Sequence, residues 1–147
     1  MANALDPPAA SSSGARILFV DDDAFTRRII NAALSNRGFR TRLADSAVAA
    51  LAILRSEPID IVLTDQQMPG LSGLDLMRTM RDEGFSTPVI LLTGVGSVEM
   101  AVSAVRSGAV HYLTKPVDPH VLEQLITDIL LSPREPRAGT AGEPPRP

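Results

Sequence analysis

Three runs of the chain, Ile17-Leu18-Phe19-Val20, Ile61-Val62-Leu63 and Val89-Ile90-Leu91-Leu92, are apolar without interruption. Such runs are expected of central strands buried on both faces. Two others are mixed: Phe39-Arg40-Thr41-Arg42-Leu43 alternates apolar with charged residues, and His111 interrupts 110–114. Those two predict strands at the edges of a sheet. Helical periods lie between them. Over 24–36 the residues Phe25, Ile29, Ala32 and Ala33 share one face, and Gly38 ends the segment. Ser46 predicts a cap for a helix over Ala47–Arg55, which Pro58 terminates. Ser72, with Asp75 three residues on, predicts a capping box for a helix through Arg81, closed by Gly84. Ser97 opens a fourth helix that closes at Gly108. Asp118 and Pro119 start a fifth, which bears Leu122, Leu125, Ile126 and Ile129.

Five alternations of strand and helix predict an α/β fold. Weak strands in second and fifth place fit the flavodoxin-like order 2-1-3-4-5, a doubly wound five-stranded parallel sheet with helices on both faces. In that order the first and third strands are neighbours at the switch point, where their carboxyl ends share one edge. Asp21-Asp22-Asp23 follows the first strand and Asp65 the third, while Thr93 ends the fourth and Lys115-Pro116 the fifth. Asp45, at the end of the second strand, falls on the far side and reads as a helix cap.

Composition narrows the class. A chain of 147 residues with 44% hydrophobic and 21% charged residues fits one globular domain. The expected layout is a disordered tail over 1–14, a domain over 15–131, and a disordered proline-rich tail or linker over 132–147, where no large apolar side chain occurs. Net charge is −3, which does not advertise nucleic acid. Without cysteine there is no disulfide framework or thiolate metal site. The first residues lack the features of a signal peptide, and no apolar stretch approaches the roughly 18 residues of a membrane span. A cytoplasmic protein with no membrane contact is the expectation.

The strand-end residues define candidate chemistry. Crowded carboxylates repel unless a cation intervenes, and hard oxygen ligands suit Mg²⁺ or Mn²⁺. With two isolated histidines and no cysteine, zinc fits poorly. Lys115 offers an ammonium to a phosphate oxygen, Thr93 a hydroxyl, and Gly94 room for a tetrahedral group. The equipment favours in-line phosphoryl transfer to a carboxylate.

Four motifs now stand in order: Phe19-Val20-Asp21-Asp22-Asp23, Asp65-Gln66-Gln67-Met68-Pro69-Gly70-Leu71-Ser72-Gly73, Leu92-Thr93-Gly94, and Tyr112-Leu113-Thr114-Lys115-Pro116. Together they resemble the receiver domain of bacterial two-component response regulators, in the stand-alone, chemotaxis-regulator-like form. The resemblance covers roughly residues 15–131. It implies a phosphorylation-activated switch in a phosphorelay, with Asp65 accepting a phosphoryl group from a sensor histidine kinase or a histidine phosphotransfer protein. It implies Mg²⁺ held by Asp22 and Asp65, by Asp21 through water, and by the Gln67 backbone carbonyl. Lys115 would bridge to Asp65 or to the phosphoryl oxygens, across a cis Lys115-Pro116 bond. Thr93 and Tyr112 would carry the switch, with the Gly94-Val95-Gly96 loop drawn inward. The altered surface would be the fourth helix, fifth strand and fifth helix, offered to a downstream effector or a second copy. No enzyme in the ordinary sense is implied beyond promotion of its own phosphorylation and dephosphorylation. Gln67 and Val95 supply no acid to orient water, so rapid self-hydrolysis is not expected.

Other readings compete. A haloacid-dehalogenase-like Mg²⁺-dependent phosphohydrolase also uses a strand-end aspartate, but leaves Asp65-x-x-Met68-Pro69 unexplained. The chain also fits a receiver fragment of a larger regulator or hybrid kinase. Direct nucleic-acid binding is not expected. Asp23 reads as a cap, and Arg27-Arg28 as either a solvated face or a contact for an acidic kinase surface. His111 and His120 read as exposed, and Met77, Met80 and Met100 as packing.

Overall fold

A computed structural model describes residues 14–94, 98–106, 108 and 111–131. The expected tails, the Val95-Gly96 part of the switch loop, Ser97 and Val110 lie outside the described residues, as does the side chain of Met100. Five strands form one parallel sheet: β1 Arg16–Val20, β2 Arg40–Ala44, β3 Ile61–Asp65, β4 Val89–Thr93 and β5 His111–Thr114. Their order is β2-β1-β3-β4-β5, the doubly wound arrangement that the mixed edge strands predict.

Five helices connect and follow the strands: α1 Ala24–Ser35, α2 Ala47–Ser56, α3 Gly73–Asp82, α4 Val98–Arg106 and α5 Pro119–Leu131. Successive strand residues point to opposite faces, and this sorts the core into two halves. Ile17, Phe19, Ile61, Leu63, Ile90 and Leu92 pack with α1 and α5 through Ile30, Leu34, Leu122, Ile126 and Ile129. Leu18, Val20, Val62 and Leu91 face the other way and pack with Ala50, Leu54, Leu76, Met77, Met80 and Ala104 from α2, α3 and α4. The uninterrupted apolar runs are therefore one physical necessity met twice, once per face.

Helix starts agree with the cap residues. The Asp23 carboxylate accepts from the Thr26 N–H, the Ser46 hydroxyl from Ala49, and Ser72 and Asp75 form a reciprocal capping box. Two expectations are corrected. Asp45 is not the cap of α2; it is exposed, and its neighbour Ser46 does that work. On α1 the face bearing Phe25 and Ile29 is turned outward, at 64% and 47% exposure, while Ile30 and Leu34 are buried. Both α1 stripes have helical spacing, so local periodicity alone does not choose between them. The stripe that is covered is the one facing β1, β3 and α5, where Ile30 and Leu34 join Phe19, Leu63, Leu122 and Ile126.

Candidate functional site

Strand register assembles the acidic cluster. Val20 pairs with Thr64, so the next residues, Asp21 and Asp65, emerge side by side at the carboxyl edge. Carboxylate oxygens of Asp21, Asp22 and Asp65 lie within 4.8 Å of one another. Asp21 and Asp65 are buried, at 1% and 6% exposure, whereas Asp22 is open to solvent. Thr93 pairs with Thr114 across the next strand junction, and its carbonyl accepts from the Lys115 N–H at 2.7 Å. This brings the Lys115 ammonium to 3.3 Å from Asp65 Oδ1 and 3.0 Å from Asp21 Oδ2. The Lys115-Pro116 bond is cis.

The electrostatics follow from that geometry. Burial pushes the Asp65 carboxyl above its usual value; Lys115 opposes this and the Asp21 charge adds to it. Burial works against the Lys115 charge, but the hydrogen bond and charge of Asp21, then those of Asp65, outweigh it and leave Lys115 raised. Three clustered carboxylates stand against one ammonium, which pairs with Asp21 and Asp65 only, leaving a net negative cradle of hard oxygen donors. That donor set fits a small divalent cation of the Mg²⁺ type, with Asp21, Asp22 and Asp65 able to hold it. The backbone N–H of Gln67 donates to Asp65, so this residue does border the cluster, with its side chain exposed.

The remaining predicted residues fall around this cluster. Thr93 is buried at the end of β4, beside the strand that carries Asp65. Tyr112 is half-buried and packs against the core on the α2–α3–α4 side. A Cβ on Gly94 would meet nothing within 4 Å among the described residues, so space is left beside Thr93. His111 and His120 are exposed, and Met77 and Met80 are fully buried.

Three residues to which the sequence assigned no part in the site shape it: Gly73, Gln66 and Arg27, the last read only as a solvated face or a contact for an acidic kinase surface. Gly73 opens α3 so close to β3 that a Cβ there would lie 2.5 Å from the Asp65 carbonyl and 2.7 Å from Leu91 Cδ1. Gln66 ties the same junction: its carbonyl accepts from Gly73 N–H at 3.1 Å, and its side-chain oxygen from Leu74 N–H at 2.9 Å. Arg27 donates through Nη1 to the Asp21 carbonyl at 2.7 Å. One signal was available for Lys115: it is the only lysine in the chain, against thirteen arginines.

A doubly wound sheet with an acidic cluster, a threonine and a lysine at its carboxyl edge defines a class, and residues 17–127 match the family model for the response regulator receiver domain. The chain belongs to that family, the signalling domain of two-component response regulators. It is 36% identical over 115 residues to the response regulator protein PilR of Pseudomonas aeruginosa, a match covering 78% of this chain and 26% of that protein. With the transcriptional regulatory protein FixJ of Bradyrhizobium diazoefficiens it shares 37% over 110 residues, covering 75% and 54%. The chain thus spans about a quarter of PilR and about half of FixJ. A response regulator receiver protein from Pseudomonas putida superposes with a TM-score of 0.75 at 34% identity, over 80% of this chain and 98% of that one. A CheY-like receiver domain protein from Methanospirillum hungatei gives 0.76 at 30% identity, over 80% and 94%. The phosphohydrolase alternative is not favoured: the family match spans both Asp21-Asp22-Asp23 and Asp65 within one receiver domain. Among the described residues no helix is long and apolar enough to cross a membrane.

Proposed function

We propose that Asp65 is the phosphoacceptor of a Mg²⁺-dependent switch, charged by a sensor histidine kinase or a histidine phosphotransfer protein. One observation carries this reading: Asp65, Asp21, Asp22 and the ammonium of the chain's single lysine meet at one sheet edge. Asp65 attacks the phosphorus atom while the P–N bond to the donor imidazole breaks, and the electron pair returns to that nitrogen. Lys115 holds Asp65 in its ionised, nucleophilic form before transfer and donates to a phosphoryl oxygen afterwards. Mg²⁺, when held by Asp21, Asp22, Asp65 and the Gln67 carbonyl, supplies positive charge against the crowded oxygens. Thr93 then turns its hydroxyl to the phosphoryl group, and Tyr112 follows into the space this vacates. The face of α4, β5 and α5 changes, and an effector or a second copy of the chain reads the change.

The domain acts in the cytoplasm, over residues 15–131, and its product is a conformational state. Its net charge of −3 argues against direct contact with nucleic acid, so any transcriptional output passes through a further domain or partner. Intact mass after incubation with acetyl phosphate tests the assignment. Wild type with Mg²⁺ gains the mass of one phosphoryl group; wild type with chelator and Asp65→Asn gain none. Labelling of Asp65→Asn at full yield overturns it.

A further inference from the structure

Arg27 stands where helix electrostatics disfavour a cation. It is four residues past the Asp23 cap of α1, within the positive end of the helix dipole. Its side chain nevertheless bends back, as helical side chains lean toward their own N-terminus, and donates to the Asp21 carbonyl at 2.7 Å. It is half-buried, whereas the adjoining Arg28 is exposed. A charge-assisted bond of this kind is roughly twice as strong as a neutral one.

That carbonyl belongs to the peptide joining Asp21 to Asp22. The Asp22 carboxylate makes no hydrogen bond or ion pair of its own among the described residues. Its direction therefore depends on the backbone beneath it. Bonds along the triplet hold that backbone: Asp21 N–H to the Ala44 carbonyl at 3.1 Å, Asp23 N–H to Asp21 Oδ1 at 2.9 Å, Arg27 N–H to the Asp23 carbonyl at 3.0 Å, and the Arg27 guanidinium to the Asp21 carbonyl. Only the last comes from a side chain outside the acidic triplet, and only it fixes the plane of the Asp21–Asp22 peptide through its oxygen. Asp21 is itself spoken for, with Oδ2 on Lys115 and Oδ1 on Asp23.

We infer that Arg27 is a positioning residue for the divalent cation, acting through the Asp21–Asp22 peptide to aim the Asp22 carboxylate. The inference rests on the proposed Mg²⁺-dependent function. Its sign separates it from a simple charge effect. Deleting a cation beside three carboxylates, taken alone, tightens binding of Mg²⁺; loss of positioning weakens it.

The test is Mg²⁺ titration of the full chain by calorimetry. Arg27→Met keeps the apolar stem and removes the donor, and it is expected to weaken Mg²⁺ by about tenfold, the scale of lost support behind a metal ligand. Arg27→Lys, able to reach the same single carbonyl, restores most of the affinity. In metal-free buffer, amide exchange at Asp22 and Asp23 accelerates in Arg27→Met and not in Arg27→Lys. Unchanged or tighter Mg²⁺ binding by Arg27→Met, with wild type binding normally, overturns the role of Arg27 alone. Wild type that takes up no Mg²⁺ overturns the functional reading and this inference together. If Arg27→Met does not fold, Arg27→Gln takes its place under the same criteria.

Discussion

Lys115 sits between two carboxylates, and its titration reports on both. Its nearer partner is Asp21 at 3.0 Å, its farther one Asp65 at 3.3 Å. Burial disfavours its charge, yet the two acids hold it above its ordinary value of 10.5. A folded value above the unfolded one means the stability it contributes is fully present below the unfolded value. That stability is lost as pH rises through the folded value. Because the chain has one lysine, a single ¹³Cε resonance reads this directly. In metal-free wild type it titrates above 10.5, Asp21→Asn brings it down, and Asp65→Asn brings it down less. A wild-type midpoint at or below 10.5 contradicts the pairing. Gly73 makes a second claim at this scale. In an isolated helix alanine is better than glycine by about 1 kcal/mol, but here its Cβ would meet the Asp65 carbonyl and Leu91. Gly73→Ala should therefore destabilise, by about 1–3 kcal/mol for an overpacked contact, in urea unfolding. A stabilised variant shows that the approach of α3 to β3 is not the constraint.

Among the elements, α1 is the one whose inner face was not legible. Phe25 and Ile29 form as regular a stripe as Ile30 and Leu34, yet only the second pair meets Phe19, Leu63 and the α5 residues Leu122 and Ile126. Helix periodicity states that a stripe exists; the neighbouring surface decides which stripe is covered. The two give opposite outcomes on truncation. Ile30→Ala should cost about 2–5 kcal/mol, as for a buried aliphatic side chain. Ile29→Ala should fall near the ±0.5 kcal/mol typical of surface changes. Equal losses in chemical denaturation refute the observed rotation of α1. By contrast, α3 was legible at its start, because a capping box is a short-range device written within four residues, Ser72 to Asp75. The strands were legible for a related reason: burial on both faces demands apolar residues at every position, and edges tolerate the arginines of β2.

For the molecule as a whole, folding gathers residues 21, 22, 65 and 115 from distant parts of the chain into one negative cradle. The unfolded chain has no such site, so a cation bound there stabilises the fold by mass action, about 2.7 kcal/mol at a hundredfold excess over Kd. Mg²⁺ should therefore raise the thermal midpoint at constant ionic strength, chelator should reverse the rise, and Asp22→Asn should lose most of it. An equal rise in Asp22→Asn would place the cation elsewhere. The same residues relate the domain to longer proteins: the matched segment makes up about a quarter of PilR and about half of FixJ.

Read without the structure, the chain declares its strands, their order and the residues at their ends. Hydrophobic runs and short-range caps depend on neighbours only a few positions away, so they are written locally. The outward turn of Phe25, the closer grip of Lys115 on Asp21, the tight seat of Gly73 and the backward reach of Arg27 belong to the assembled fold. Each is a distance or a rotation set by how helix and strand pack together, whether six residues apart, as Arg27 and Asp21, or ninety-four, as Lys115 and Asp21, and such quantities exist only once those surfaces have met.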